Sequence, residues 1–172
     1  MNSYKERRYT KTISFLEKVA PPPLRILDLG TENPFSEIMK QKGYEVCNTN
    51  GEDLDVEFDV VNHYRVDMVA AFEIFEHMLA PFNILKEIKC SRMVASVPLK
   101  LWFASAYWNE KDDWDKHYHE FEPKQFDFLL RKTGWKIVAS EKWTSANPWK
   151  FGIRPFLRNF VPRYYIVYCE KI

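Results

Sequence analysis

Residues 25–30 read Arg25-Ile26-Leu27-Asp28-Leu29-Gly30, a short apolar run that ends in glycine. Such a run predicts a buried β-strand followed by a tight turn. Asn33-Pro34 strengthens the prediction, because it joins an N-cap residue to a proline suited to the first turn of a helix. We therefore expect a strand–turn–helix unit, with its turn at the carboxyl end of the strand.

The same alternation of strand and helix recurs along the chain. Further strands are predicted at residues 44–49, 56–61, 67–72, 92–97, 136–142 and 164–171, with the weakest pattern at 56–61. Helices are predicted at residues 2–20, 34–42 and 81–89, and a fourth begins at Pro123 and ends before Gly134. This order predicts a Rossmann-like, doubly wound α/β fold with three layers, helix–sheet–helix. The sheet is expected to have seven mostly parallel strands with an antiparallel last strand, because no helix is predicted before it.

Length and composition indicate one ordinary globular domain over residues 1–172. Hydrophobic residues make up 46% and charged residues 28% of the chain, which excludes a disordered or collagen-like protein. Within the domain, residues 1–23 form a helix and a proline-rich connection, and residues 101–122 form an aromatic loop.

The sequence shows no recognisable targeting signal, and together with the pattern of its cysteines this predicts a cytoplasmic location. No apolar stretch approaches the ~20 residues of a membrane helix, and the first residues lack the apolar segment of a secretory signal. Cys47, Cys90 and Cys169 lie far apart beside strand-like sequence, which favours reduced thiols over disulfides or a zinc site.

Glycine spacing and acidic loops limit the class of ligand. The chain has five glycines, and none are close enough together to form a Walker A loop or a G-x-G-x-x-G motif. Ligands of open α/β sheets bind at the carboxyl ends of the strands. The loops expected there carry Asp28, Glu32, Asn50, Glu52, Asp53, Asp55 and Glu73. A carboxylate at the first turn would repel a pyrophosphate, whereas a nucleoside with a positive centre, such as S-adenosylmethionine, suits these acceptors.

Four motifs in order resemble the class I S-adenosylmethionine-dependent methyltransferases, in particular the small methyltransferase-domain group. They are Ile26-Leu27-Asp28-Leu29-Gly30, Gly43-Tyr44-Glu45-Val46, Phe72-Glu73-Ile74-Phe75-Glu76-His77, and His119-Glu120-Phe121 with the later Gly134-Trp135-Lys136-Ile137-Val138. The resemblance extends over residues 24–171 and implies a methyltransferase that transfers a methyl group by in-line displacement.

The resemblance also implies a set of cofactor-binding residues: Asp28, Gly30, Thr31, Asn50, Asp53, Leu54, Phe72 and Glu73. Asp28 and Gly30 would flank the methionine end, and Asn50 the ribose. Asp53 and Leu54 would lie by the adenine, with Phe72 and Glu73 under the sulfonium.

The chain departs from the family pattern at two of these places. Thr31-Glu32-Asn33-Pro34 replaces two further glycines, and Asn50 replaces an acidic residue that grips the ribose, a role that Glu52 or Asp53 could take. For Asp28 a purely structural role, hydrogen bonding to loop amides, stays open. For Glu76 and His77 we prefer the interpretation of a helix start and its surface neighbour.

The acceptor side of the site is expected in the aromatic loop. Its candidate residues are Trp102, Tyr107, Trp108 and Trp114, which form a stacking pocket or lid, or alternatively bury their rings for the loop's own stability. For a hydroxyl acceptor His119 is the first candidate base and His117 the second. His117 and His119 beside Asp112, Asp113 and Asp115 form too loose a pattern for a metal site, so no metal is predicted.

Three functions stay open from the sequence. The first is a methyltransferase acting on a small or surface-presented acceptor, anionic or aromatic in character. The second is a non-catalytic module with a weakened cofactor site, and the third is a nucleotide-linked oxidoreductase or sugar-modifying enzyme. Arg154, Arg158 and Arg163, with a pI near 7.7, fall short of a nucleic-acid-binding domain, so neither nucleic acid nor membrane is an expected partner. The sequence leaves the oligomeric state open.

Overall fold

The computed structural model describes residues 3–145 and 152–172. The strands are β1 (Arg25–Asp28), β2 (Glu45–Asn48), β3 (Met68–Phe72), β4 (Arg92–Pro98), β5 (Trp135–Thr144) and β6 (Pro162–Lys171). The α-helices are α1 (Ser3–Val19), α2 (Pro34–Gln41), α3 (Pro81–Glu87), α4 (Pro123–Lys132) and α5 (Ile153–Leu157). Two short 3-10 helices cover Phe58–Asn62 and Phe75–His77. Residue 2, the first residue of the helix expected at 2–20, lies outside the described residues.

The strands form one mixed sheet in the order β2-β1-β3-β4-β6-β5. β2, β1, β3 and β4 are parallel neighbours, and β6 pairs antiparallel with both β4 and β5. The expected antiparallel last strand is therefore confirmed. The chain leaves β1 toward β2 on one side and returns to β3 on the other, which creates a topological switch point beside β1.

The expectation of seven strands was wrong, because the described residues contain six. Residues 56–61 do not join the sheet but form a turn and the 3-10 helix Phe58–Asn62. Val60 and Val61 are both buried although they are adjacent, which a half-buried strand does not allow. The Asp55 carboxylate accepts hydrogen bonds from the amides of Leu79 and Ala80, at 2.8 and 2.7 Å, and ties this segment to the start of α3.

Apolar cores on both faces of the sheet confirm the three-layer prediction. On one face α1 and α2 contribute Ile13, Leu16, Phe35 and Met39, which pack on alternate residues of the central strands. On the other face α3 and α4 contribute Ile84, Leu85, Phe126 and Leu130. None of the helices in the described part of the chain has the length and hydropathy needed to cross a bilayer.

Candidate functional site

A cavity of about 780 Å³ lies at the carboxyl ends of β1, β3 and β4, beside the switch point. Nine of the residues predicted for the site line it: Asp28, Gly30, Thr31, Asp53, Leu54, Phe72, Glu73, Trp114 and His117. Five others do not: Asn50, Trp102, Tyr107, Trp108 and His119. The cavity therefore brings together most of the expected cofactor residues and a smaller part of the expected acceptor side.

The turn after β1 shapes one wall of the cavity. Gly30 has a φ of +98°, and its amide donates to Thr49 Oγ1 at 2.8 Å. The buried Asp28 carboxylate accepts from Ser36 Oγ at 2.9 Å and from Asn48 Nδ2 at 3.2 Å. Burial raises the pKa of Asp28 to about 6, against the opposite effect of these hydrogen bonds. Asp28 thus connects β1, β2 and α2 through side-chain partners and not through the loop amides considered for it.

The loop after β2 provides acidic side chains that face the cavity. Glu52 and Asp53 line it, while Asn50 lies outside. Glu52 and Asp53, the two residues considered as replacements for the family's ribose-binding acid, therefore both reach the cavity. The backbone amide of Asn50 holds the Glu52 carboxylate by donating a hydrogen bond to Glu52 Oε2 at 2.6 Å.

Glu73 occupies a strained position at the end of β3. Its φ of +58° lies in the left-handed region, which residues other than glycine rarely adopt. Its carboxylate accepts from Ser96 Oγ at 3.0 Å and pairs with Arg8 Nη1 at 3.5 Å. Burial raises the pKa of Glu73, and Arg8 counteracts part of that rise.

Glu76 was expected at the start of a helix, and the structure places it in the 3-10 helix Phe75–His77, facing the cavity. Its side chain is fully buried, and among the described residues neither carboxylate oxygen has a hydrogen-bond partner. Burial, and next the charge of Glu73, raise the pKa of Glu76 well above its ordinary value. A buried acid without a partner is costly and calls for an explanation.

Two histidines lie beside Glu76. His77 and His117 meet edge to face, with ring centroids 4.9 Å apart. His77 was expected to be a surface neighbour of the helix start, but its side chain is mostly buried, and burial lowers its pKa. His117 Nδ1 lies 3.1 Å from Glu120 Oε1, and Arg163 Nη1 donates to the other oxygen of Glu120 at 3.1 Å.

His119, the first candidate base, points away from the cavity. Its Nε2 lies 3.3 Å from the carbonyl oxygen of Leu79, and its ring stacks on Phe121. The amides of Tyr118 and His119 both donate to the carbonyl oxygen of Glu76, which bends the chain between the two histidines. Consequently, of the two candidate bases, His117 reaches the cavity and His119 does not.

The aromatic loop is mostly exposed and folds back on itself. Trp108 pairs with Lys116 as an isolated bridge, and Tyr107 donates its hydroxyl to Asp115 Oδ2 at 2.8 Å. Trp114 reaches the cavity rim, although 67% of its surface stays exposed, and Trp102 is 74% exposed. In this conformation the rings of Trp102 and Trp114 are therefore neither buried within the loop nor enclosed in a stacking pocket.

Residues from α1 complete the cavity and were missed by the sequence analysis. Arg8, Tyr9 and Thr12 line it from one side of the helix. Their helical spacing predicts that they share a face, but nothing local indicates which part of the molecule this face contacts. The helix start at Asn33 also belongs to the cavity wall.

The cavity is strongly acidic. Among the described residues, the carboxyl side chains lining it are Asp28, Glu52, Asp53, Asp55, Glu73, Glu76 and Asp115, and Arg8 is the one lining arginine or lysine. Such a surface favours a ligand with positive centres and disfavours phosphates.

Solved structures with the same architecture match nearly the whole chain. A SAM-dependent methyltransferase from Archaeoglobus fulgidus matches with a TM-score of 0.61 at 18% identity, over 95% of this chain and 94% of its own. One from Mesorhizobium loti matches with a TM-score of 0.65 at 12% identity, over 99% of both chains. The fold is that of S-adenosylmethionine-dependent methyltransferases. No protein-family model and no curated protein sequence matches.

The methyltransferase fold does not by itself determine the reaction. The [4+2]-cyclase SpnF also matches, with a TM-score of 0.56 at 14% identity, over 94% of this chain and 80% of its own. Function therefore has to be argued from the residues of the cavity.

Proposed function

We propose that this protein binds S-adenosylmethionine and transfers its methyl group to a small acceptor. One observation carries the proposal: on a methyltransferase fold, the described residues that line the cavity at the strand ends include seven carboxyl groups and a single arginine. S-Adenosylmethionine has a sulfonium and an ammonium group, two positive centres that this surface favours.

The residues present fit this cofactor. Gly30 leaves the first turn open, since a Cβ there would lie 3.3 Å from Ile74 Cδ1. We assign Asp28, Gly30 and Thr31 to the methionine end, Glu52 with Asp53 to the ribose, and Leu54 to the adenine. Phe72 and Glu73 then lie at the sulfonium.

Bound S-adenosylmethionine supplies an electrophilic methyl group, and the protein's part is to align the acceptor and receive its proton. We assign the acceptor to the part of the cavity formed by His77, Trp114, Asp115 and His117. His117 replaces His119 as the residue that acts on the acceptor, because of these two candidate bases His117 lines the cavity and His119 does not.

A second candidate function is a non-catalytic binding module. The ion pair of Arg8 with Glu73, 3.5 Å long, favours it, because it sets a positive guanidinium beside the residue assigned to the sulfonium. Under this alternative the protein does not bind S-adenosylmethionine.

Calorimetric titration distinguishes the two candidates. The methyltransferase proposal expects micromolar binding of S-adenosylmethionine and S-adenosylhomocysteine and no binding of NAD. Absence of binding up to millimolar concentration would overturn it, and binding of NAD alone would favour an oxidoreductase.

A matched pair of variants then tests the ribose assignment. Glu52→Gln removes one charge-assisted hydrogen bond, worth about 1.5–3 kcal/mol, so S-adenosylhomocysteine should bind at least about tenfold more weakly. Asn50→Ala, in the same loop but outside the cavity, should bind like the wild type. Equal affinities of both variants would contradict the assignment of Glu52.

A further inference from the structure

Glu76 is a buried carboxyl group, and among the described residues no arginine or lysine pairs with it. Its side chain is fully buried and lines the cavity, and neither oxygen has a hydrogen-bond partner among the described residues. The two nearby arginines pair with other carboxylates, Arg8 with Glu73 and Arg163 with Glu120. Buried carboxylates are normally paired or coordinate a metal ion, so the unsatisfied oxygens point to a missing cation.

The two neighbouring histidines are held in the manner of metal ligands. His77 Nδ1 lies 3.1 Å from the carbonyl oxygen of Lys116, and His117 Nδ1 lies 3.1 Å from Glu120 Oε1. With Nδ1 of each ring donating to these acceptors, Nε2 is left as the unprotonated ligand atom. A carbonyl or carboxylate on the far ring nitrogen is the usual second layer around metal-binding histidines, and it sets both tautomer and orientation.

The three side chains converge. One ligand atom each from Glu76, His77 and His117 can be chosen so that all lie within 4.8 Å of one another. His77 Nε2 is itself 3.8 Å from Glu76 Oε1. Bonds of about 2.1 Å in tetrahedral geometry separate ligands by about 3.4 Å, so small side-chain rotations close the site.

We propose that Glu76, His77 and His117 bind a divalent transition-metal ion of the Zn²⁺ type at the acceptor end of the cavity. Two imidazole nitrogens and one carboxylate are a ligand set of catalytic zinc sites, which keep a further position open. Sequence spacing did not predict this site, because Glu76 and His77 come from one segment and His117 from another.

The open position gives the metal a role toward the acceptor, and this part rests on the proposed methyl transfer. An acceptor hydroxyl that binds there would release its proton to solvent water more easily, as water itself does on Zn²⁺. In this arrangement His117 acts on the acceptor as a ligand of the ion and not as a base. The acceptor class then narrows to molecules with an oxygen that can coordinate a metal.

Calorimetric titration of the full chain with Zn²⁺, and separately with Co²⁺ and Mn²⁺, tests the site. We expect one Zn²⁺ per chain with micromolar or tighter affinity. Glu76→Gln, His77→Ala and His117→Ala should each weaken it at least about 100-fold, and Glu120→Gln about 10- to 100-fold through the ring orientation. His119→Ala is the matched control and should bind like the wild type. Circular dichroism verifies that each variant is folded.

Zinc binding that persists unchanged in the folded ligand variants would assign it to other groups, such as Cys47 and Cys90, and overturn the proposal. Absence of binding of all three ions would also overturn it. S-Adenosylhomocysteine titrated against the same proteins separates this result from the proposed function. If the nucleoside binds and no metal does, only the metal site fails, whereas metal binding without nucleoside binding removes only the methyltransferase proposal.

Discussion

At the scale of single residues, Gly30 combines an unusual backbone conformation with a place in the cavity wall. Its φ of +98° favours glycine, and an added Cβ would lie 3.3 Å from Ile74 Cδ1. Gly134 has a similar φ of +87°, but a Cβ there would have its nearest atom, Lys171 Cε, at 3.9 Å. Comparing substitutions at Gly30 and Gly134 therefore separates the effect of backbone strain from the effect of crowding in the cavity.

We expect Gly30→Ala and Gly134→Ala each to lower the free energy of unfolding by about 1–3 kcal/mol, because both place alanine in the left-handed region. Only Gly30→Ala should also weaken binding of S-adenosylhomocysteine, since its methyl group enters the cavity wall. Urea denaturation and calorimetric titration measure the two effects. Equal nucleoside affinities of the two variants would contradict the assignment of Gly30 to the cofactor.

Asp28 makes the stability depend on pH in an unusual direction. Its pKa of about 6 in the folded protein exceeds the value of about 3.9 for an unfolded chain. Between those values the folded state retains a proton that the unfolded state has lost, so the contribution of Asp28 to stability falls as the pH rises from about 4 to 6 and stays low above it.

Asp28→Asn removes this titration but keeps an oxygen that accepts from Ser36. From pH 4 to pH 7 its free energy of unfolding should rise relative to the wild type, by up to about 3 kcal/mol. Urea denaturation at several pH values measures the difference. Glu110→Gln, at an exposed position, is the control and should show no such trend. A constant difference between wild type and Asp28→Asn would mean that Asp28 does not titrate in this range.

At the scale of elements, the start of α2 joins a local sequence signal to the cavity. Asn33 adopts an extended conformation, and its Oδ1 accepts from the amides of Phe35 at 2.8 Å and Ser36 at 3.3 Å. The Oγ of Ser36 in turn accepts from the backbone amide of Asn33 at 3.3 Å, which completes a capping box. The sequence prediction of this helix start was confirmed because all its determinants lie within four residues.

Asn33→Ala should lower the free energy of unfolding by about 1 kcal/mol, because two helix amides lose their acceptor. Asn33→Asp, which keeps the acceptor and adds a charge favoured at a helix N-terminus, should stay close to the wild type. Thermal and urea unfolding of both variants measure this. Similar losses in the two variants would show that the cap contributes nothing specific.

Residues 56–61 illustrate where element prediction fails. The pattern of Val56, Phe58 and Val60 alternates as in a strand, yet Val56 is 71% exposed. The carboxylate of Asp55 binds the start of α3 and draws the segment onto the far face of the sheet. A strand also needs a neighbour with free backbone groups, and no local pattern indicates whether one is present.

At the scale of the whole molecule, the last strand joins the edge strand β5 to the four parallel strands. β6 lies between β4 and β5 and pairs with both along nearly its whole length. Beyond the sheet, Lys171 Nζ donates to the carbonyl oxygens of Leu85 and Ile88, at 3.3 and 2.8 Å, at the end of α3.

Removing residues 162–172 should abolish cooperative unfolding, because β5 loses its partner and β4 becomes an unpaired apolar edge. Removing Ile172 alone, whose surface is 84% exposed, should change the free energy of unfolding little. Circular dichroism during urea denaturation tests both chains. A cooperative transition in the shorter chain would show that the four parallel strands fold without β6.

The sequence by itself determined the strand–turn–helix unit at β1, the alternation of helices and strands, and the acidic character of the cavity. Each depends on neighbouring residues or on composition, and hydrophobic periodicity, caps and charge are local properties. The expected acids Asp28, Asp53 and Glu73 therefore do line the cavity.

Only the tertiary structure decided which distant segments meet. Arg8 reaches the cavity from α1, and Glu76 and His77 come together with His117 across the loop, whereas His119 turns away. These juxtapositions follow from the packing of helices on the sheet and from a bend at Tyr118. Contacts between residues far apart in the chain leave no periodic signal in either segment alone, so they emerge only when the whole core is assembled.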